Sequence, residues 1–320
     1  MRTITLDETE PRPRRVAVGE FDGVHLGHRE VIRGSDTVLT FEPHPLWVIR
    51  PEAAPKLLTS LEVKAELVAE LGVEELVVVP FDERFAEQTP AEFIDRVLVE
   101  RLGAERVAVG ENFRFGHRAS GDPALLAADP RFETVVVPLV EAAGDPALLA
   151  ADPRFETRIV PLVEVAGEVV SSSHIRGLVL AGEVELAAKF LGAPFQLRGE
   201  VVSGDRRGRE LGFPTANIVP DQALVCPGNG VYAARADGVC AAVNVGVRPT
   251  FGTGRAVLIE AFLIDRDVDL YGQTLHIEFL QRLRGERRFD SAEALIEQMH
   301  RDVGNTRHAC ASVPPPGLRG

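Results

Sequence analysis

Two stretches of the chain carry residue types whose spacing suits chemistry on phosphate groups. The first is Gly19–His28, GEFDGVHLGH. Its H-x-G-H spacing puts His25 and His28 at i and i+3, on one side of a first helical turn. Gly27 between them leaves a ligand phosphate room to come close. Two imidazoles beside a helix N-terminus can stabilise charge developing on a phosphoryl group. Two histidines alone are more often structural groups or weak metal ligands, and the whole string is what argues for function. The second stretch is Arg198–Asn217, RGEVVSGDRRGRELGFPTAN. It spaces Gly199, Gly204, Gly208 and Gly212 around a basic run that includes Arg209. Glycines admit backbone amides close to an anion, and arginines add charge-assisted donors. Thr215 and Asn217 then offer two oxygens for a hard cation such as Mg²⁺. The string is not the P-loop G-x-x-x-x-G-K-[ST]. On composition alone, a Gly-rich hairpin turn with solvated arginines explains it equally well.

Such residues need elements to hold them. Arg15–Glu20 is a short apolar run leading at once into the glycine-bearing turn and polar helix start, the layout of a βαβ nucleotide site. Thr37–Pro45 reads as the next strand. Lys56–Gly72 shows helical periodicity through Leu57, Leu61, Ala65 and Val68, with Gly72 as its stop. Val73–Pro80 reads as a buried strand, Pro90–Gly103 as a helix and Arg106–Gly110 as a further strand. This alternation predicts a parallel α/β sheet. Gly110–Gly116 (GENFRFG) follows a strand end, where open α/β sheets place ligands. Asn112 offers a neutral hydrogen-bonding group there, while Phe113 and Phe115 suit a core as well as a site. In Ser171–Arg176 (SSSHIR), hydroxyls including Ser173 stand at a helix start with Arg176, a candidate grip on a polyphosphate.

The pattern changes after the helix Glu183–Phe190, at Leu191–Pro194. From Phe195 onward short strands alternate with glycine turns: Gly199–Ser203, Gly230–Arg235, Val239–Gly246, Ala256–Ile264 and Leu275–Leu283. Even spacing and few helices predict a small antiparallel barrel. A last helix is predicted over Ser291–Val303, capped by Ser291, and the proline-bearing tail Val313–Gly320 is expected to fray.

Composition narrows the classes. A chain of 320 residues has room for two domains with their own cores. Its apolar content of 45% and charged content of 26% are those of a soluble globular protein. A net charge of −13 argues against a nucleic-acid-binding surface. It leaves small anionic substrates open, since those need only a local basic pocket. Cys226, Cys240 and Cys310 are scattered without C-x-x-C spacing, which predicts neither a structural zinc nor a disulfide framework and fits a reducing cytoplasm. The N-terminus lacks the apolar region of a secretory signal, and no run is long enough to span a membrane.

The strings GEFDGVHLGH, TFEPHP, GENFRFG, SSSHIR, GFPTAN, NVGVRPTF and DLYG together resemble the bacterial bifunctional riboflavin kinase/FAD synthetases over nearly the whole chain. The resemblance implies an α/β parallel-sheet nucleotidyltransferase (Rossmann-like) domain over residues 1–190. A small antiparallel β-barrel riboflavin-kinase domain with a C-terminal helix would follow over 191–320. It implies ATP as co-substrate, Mg²⁺, and the small-molecule substrates riboflavin and FMN. In the first half, His25 and His28 would stabilise the reacting α-phosphate, Asn112 would contact nucleotide or flavin, and Ser173 with Arg176 would hold the polyphosphate. In the second, Gly204, Arg209 and Gly212 would belong to the phosphate cradle, and Thr215 and Asn217 would bind Mg²⁺ and nucleotide. Glu260, in VLIEAFLID ahead of DLYG, matches the family's catalytic base. Phe262 stands where the family usually has histidine or a similar polar residue. Asn244–Phe251 is expected as a turn near flavin or nucleotide, and Arg282, Arg284 and Arg287 either close over substrate or form a solvated charge run.

The first half departs from the family in three ways. Glu20 puts a carboxylate where an anionic phosphate would approach and the family has an uncharged residue. The connection Arg29–Thr37 is shorter than the family's. A six-residue strand is about 20 Å long, whereas a helix over that stretch covers about 13 Å, so the helix must be short and its exit extended. Finally, Gly121–Ala143 and Gly144–Ala166 are tandem copies of 23 residues that agree at 20 positions. Two copies do not make a solenoid, and the family needs one. The predicted function is phosphorylation of riboflavin and adenylylation of FMN. The rival readings are a kinase with an impaired adenylyltransferase half, and a non-catalytic flavin- or nucleotide-binding regulator.

Overall fold

The computed structural model describes residues 1–137, 164–165, 168–203, 212–250, 254–266 and 270–313. By packing, the chain forms two units: Met1–Pro55 with Thr59–Ser172, and Lys56–Leu58 with Ser173–Gly320. The helices Ser172–Ala181 and Val184–Leu191 thus straddle or follow that division, whereas the change of sequence pattern falls after them.

The first unit is built on a six-stranded parallel sheet. Its strands are β1 (Arg2–Thr5), β2 (Arg14–Val18), β3 (Thr37–Glu42), β4 (Glu75–Pro80), β5 (Ala104–Gly110) and β6 (Glu133–Val137), in the order β1-β4-β3-β2-β5-β6. Both faces are covered, so the strands are apolar on both sides. Val16, Leu39, Val77 and Val107 face Phe93, Val97 and Leu98 of the helix Phe93–Arg101. Ala17, Val38, Leu76 and Ala108 face Val31, Val63 and Val68 from the helices Leu26–Ile32 and Leu61–Ala69. β1 was not expected from sequence; it exists by pairing with β4 from Arg2↔Glu75 to Thr5↔Val78.

The shortened connection is accommodated by adjacency, because β2 and β3 are direct neighbours. The helix is indeed short, Leu26–Ile32. Its exit is not extended, however. Gly34 has φ 76° and Ser35 N donates to Ile32 O at 3.0 Å, so a tight turn returns the chain. The helix expected from Lys56 begins only at Leu61, where Ser60 Oγ accepts from Val63 N at 3.4 Å. Leu57 is instead bridged to Leu224, with Leu57 N donating to Ala223 O at 2.9 Å. A long-range pairing took a residue that local periodicity assigned to a helix.

The first repeat copy supplies a native piece of this sheet: the helix Pro123–Ala127, capped by Asp122, and β6, parallel to β5. Val135 in β6 is buried. The aligned position of the second copy is Arg158, and an unpaired guanidinium in that apolar place would be costly. The first copy is therefore the one suited to the sheet edge. Most of the second copy, 144–163, lies outside the described residues; within its last part and just beyond, β7 (Glu164–Val165) pairs with β8 (Glu168–Val169).

The second unit holds a closed antiparallel barrel of β9 (Phe195–Val202), β10 (Ala216–Pro220), β11 (Gly230–Ala236), β12 (Val239–Thr250), β13 (Gly254–Leu263) and β14 (Thr274–Arg284), in the order β10-β13-β12-β11-β14-β9. Pairing of β9 with β10 closes it. Inward residues such as Val243, Val245, Ile259, Ala261, Ile277 and Phe279 fill the interior. A C-terminal helix, Ala292–Ser312, extends well past the predicted Val303; Ser291 Oγ accepts from Ala294 N at 3.2 Å as its cap. Arg284 clamps Asp302 at 2.9 Å, and the buried Arg235 donates to the carbonyls of Cys310, at 3.0 Å, and Val313. Cys240 and Cys310 are joined as a disulfide, contrary to the sequence expectation; the tertiary fold brings their Cα atoms to 6.2 Å across 70 residues. Of the tail, 314–320 lie outside the described residues.

Candidate active sites

In the first unit the histidine string forms a strained turn between β2 and its helix. Phe21 and Val24 have φ of 49° and 39°, a region that disfavours a β-branched residue such as Val24 most strongly. The turn is clamped from two sides. Thr59 N donates to Asp22 Oδ1 at 3.2 Å, Gly23 N donates to Thr59 Oγ1 at 3.1 Å, and Ser172 Oγ donates to Asp22 O at 3.0 Å. Neither Thr59 nor Ser172 was singled out from the sequence. Thr59 sat inside a predicted helix, and among the SSSHIR serines the role had gone to Ser173.

His25 caps the helix: its Nδ1 accepts from His28 N at 3.1 Å. That nitrogen therefore carries no proton, and Nε2 is the remaining N–H. The His25 and His28 rings stack with centroids 3.5 Å apart, as the i, i+3 spacing predicted. A Cβ on Gly27 would meet the His25 ring at 3.3 Å, so this glycine seats His25. Burial first, then the neighbouring His25 and Lys64 charges, hold His28 well below the usual histidine range. In the ligand-free turn His28 is thus suited to act through a neutral N–H donor rather than as a cation. His28 Nδ1 is buried and has no hydrogen-bond partner among the described residues.

Glu20 differs from the expectation of a carboxylate facing phosphate. Burial pushes its carboxyl up to about 8, against the opposing pull of Lys64 and with smaller support from Asp22 and Glu42. At neutral pH it is an uncharged acid. Lys64, only 4% exposed, donates from Nζ to Thr40 Oγ1 at 3.2 Å, and Thr40 Oγ1 donates to Glu20 O at 3.2 Å. Lys64, which helical periodicity leaves unremarkable, is a buried lysine beneath the motif.

Asn112 is exposed in the turn after β5. Since β5 runs parallel beside β2, Asn112 and the histidine turn share the carboxyl edge of the sheet. Phe115 is core, and Phe113 packs against it. Ser173 and Arg176 belong by packing to the second unit, on the helix Ser172–Ala181, where Arg176 Nη1 donates to Ser173 Oγ at 3.2 Å.

In the second unit, strand register assembles the site. Glu260 of β13 pairs with Asn217 of β10 on one side and with Asn244 of β12 on the other. Directly paired residues project to the same face of a sheet. Asn244 Nδ2 donates to Glu260 Oε2 at 3.3 Å. Ile259, Ala261 and Leu263 point into the barrel and are buried, so Glu260 lies on the outer face with Phe262. Thr215 is half-buried just ahead of β10, after Gly212 with φ 84°. Gly204 and Arg209, with the rest of the cradle over 204–211, lie outside the described residues.

Two readings of this half change. Residues 244–250 are the end of the long strand β12 rather than a turn, with Asn244 partnering Glu260; Phe251 lies outside the described residues. The three arginines are engaged structurally. Arg282 donates to Ala181 O at 3.0 Å and Asn229 O at 2.9 Å, Arg284 pairs with Asp302, and Arg287 donates to Gln298 Oε1 at 2.8 Å.

A doubly covered parallel sheet with stacked histidines at its carboxyl edge, followed by a barrel presenting an Asn–Glu–Asn row, defines a two-part nucleotide-using transferase. Comparisons with known proteins agree. The FAD synthetase family profile matches residues 7–147, ending just inside the second repeat copy, and the riboflavin kinase profile matches residues 191–310. The bifunctional riboflavin kinase/FMN adenylyltransferase of Listeria monocytogenes is 37% identical, over 95% of each chain. That of Bacillus subtilis is 35% identical over 90% of this chain and 89% of its own, and that of Escherichia coli 35% over 94% of each. A solved structure described as a macrolide-efflux protein from Streptococcus pneumoniae matches with a TM-score of 0.80 and 29% identity, over 95% of this chain and 98% of that one. What is shared with that structure is the fold; among the described residues no helix is long and apolar enough to cross a membrane. The chain belongs to the bifunctional riboflavin kinase/FMN adenylyltransferase family.

Proposed function

We propose that the barrel unit phosphorylates riboflavin with ATP and that the sheet unit adenylylates the resulting FMN. The observation that carries the kinase reading is the Asn217–Glu260–Asn244 row. Glu260 accepts the proton of the ribityl 5′-hydroxyl as that oxygen attacks the γ-phosphorus of ATP. The bond to the β-phosphate oxygen breaks, and ADP leaves. Asn244 holds one carboxylate oxygen of Glu260 and so orients the carboxylate. Thr215 and Asn217 supply neutral oxygens of the kind that suit Mg²⁺ shared with phosphates. When bound, Mg²⁺ supplies neutralisation of the phosphate charge.

In the sheet unit an FMN phosphate oxygen attacks the α-phosphorus of ATP, and pyrophosphate leaves. His25 and His28, held by the Thr59 and Ser172 clamps, donate N–H groups to the charge that develops there. Asn112 at the same sheet edge contacts nucleotide or flavin. Ser173 and Arg176 keep the polyphosphate role that the family resemblance gives them, and Gly204, Arg209 and Gly212 keep the cradle role. ATP as donor for both halves supports a cytoplasmic location.

Riboflavin with MgATP, the products resolved by chromatography, tests this. FAD is the expected product. FMN alone would leave only the kinase, and tight flavin binding without turnover would remove both activities.

A further inference from the structure

The string G-F-P-T-A-N contains an aromatic residue, Phe213, that the mechanism leaves without a task. Of Gly212–Thr215, Phe213 alone is buried, at 5% exposure. Its ring is keyed between two others. The Phe262 centroid lies 5.2 Å away at 69°, and the His300 ring 5.1 Å away at 65°, both edge-to-face. Phe262 follows Glu260 by two positions on β13 and so projects from the same outer face. His300 stands on the C-terminal helix, which is anchored elsewhere by Arg284–Asp302, Arg235–Cys310 and the Cys240–Cys310 bond. The helix is thus a fixed wall, β13 is a second, and Phe213 is wedged between them immediately ahead of Thr215.

We propose that Phe213 is a positioning residue of the kinase site, whose ring, seated between Phe262 and His300, fixes where Thr215 and Asn217 present their oxygens. The C-terminal helix thereby helps to set the affinity for MgATP without touching it. The physical reason is preorganisation. Without the wedge, residues 212–215 sample other positions, and binding must select the competent one at a loss of affinity. The departure at Phe262 acquires a partner in the same stroke, since a ring there completes the wedge. This inference rests on the kinase reading above.

The test uses the full chain with Phe213→Leu, His300→Ala and His300→Phe, measuring KM for MgATP, KM for riboflavin, kcat for FMN formation and Tm. His300 is exposed, so its truncation leaves the fold intact even if Phe213→Leu does not. One edge-to-face pair corresponds to about two- to tenfold in an equilibrium constant. His300→Ala is expected to raise KM for MgATP about threefold and Phe213→Leu about tenfold, with KM for riboflavin unmoved and His300→Phe restoring the wild-type value. A fall in Tm with KM for MgATP unchanged in both truncations would overturn the proposal. So would an equal rise in KM for both substrates. The failures are separable. If Glu260→Gln still makes FMN at the wild-type rate, the kinase reading falls. If that variant is inactive and KM for MgATP stays put in His300→Ala and Phe213→Leu, only the positioning role falls.

Discussion

In the parallel-sheet unit the side chains proposed to react stand on a turn; in the barrel they stand on paired strands. The turn holds His25 and His28 within one helical start, at the expense of left-handed backbone at Phe21 and Val24, and relies on Thr59 and Ser172 to hold it. The barrel spends no such strain on its central row, because β10, β13 and β12 fix Asn217, Glu260 and Asn244 by register. A turn-borne site is compact in sequence and depends on remote clamps. A strand-borne site is scattered in sequence and is held by the hydrogen-bonded ladder itself.

The largest effect expected on this contrast is reciprocal. Glu260→Gln should lower FMN formation by about 10²- to 10⁴-fold while adenylylation of supplied FMN continues, and His28→Ala should do the reverse. Separate assays of the two steps check this, and equal loss of both activities in either variant would break the division of labour. Next, Thr59→Ala removes the acceptor of Gly23 N and leaves a buried donor unpaired. Adenylylation should fall about tenfold with kinase activity unmoved. A matched loss in the kinase assay would show that the turn and the barrel are not independent.

Asn244→Ala asks the same of the barrel. Losing one amide donor to Glu260 should reduce kcat for FMN formation about threefold. The smaller effect is expected because the ladder still holds Glu260 in place. If it exceeded that of Thr59→Ala, the contrast between turn and ladder would be wrong.

The smallest effect concerns Glu20 and pH. In the fold its carboxyl is pushed up to about 8, while unfolded it loses its proton near the ordinary 4.5. The folded state therefore binds the extra proton between those values, and this residue's contribution to stability falls as pH rises from 4.5 to about 8. Below 4.5 both states are protonated and the penalty vanishes. Glu20→Gln should raise Tm by a few degrees near pH 8, about the shift a modest gain in stability gives, and leave it unchanged near pH 4.5. Thermal melts at the two pH values decide it, and equal shifts at both would refute a buried, protonated Glu20.

Legibility followed the same contrast. The His25–His28 arrangement was readable because a helical turn relates i and i+3 locally, and the rings stack as that spacing requires. Most strands of both halves are readable from apolar runs and glycine turns; β1 and β10 are not. Lys64 was not, since nothing in a helical repeat marks which lysine faces inward beneath Thr40. The C-terminal helix was read short because Gly304, Asn305 and Thr306 weaken local propensity. Packing overrides them: Thr306 is buried, and its Oγ1 donates to Asp302 O at 2.8 Å. The Cys240–Cys310 pairing was equally invisible, because spacing in sequence says nothing of strands and helices that meet 70 residues apart.

What is local in this protein is legible from neighbouring residues alone: the H-x-G-H turn, the cap at Ser291, the alternation that separates a parallel sheet from a barrel, and the family strings. The tertiary structure decided everything that depends on neighbours distant in the chain. It chose the first repeat copy for the sheet edge, because Val135 can be buried there and arginine at the aligned position could not be without a partner. It turned Glu20 from a repelling carboxylate into a neutral acid, because burial penalises the charged form. And it placed Asn244 beside Glu260, because only the pairing of β12 with β13 puts those two side chains on one face.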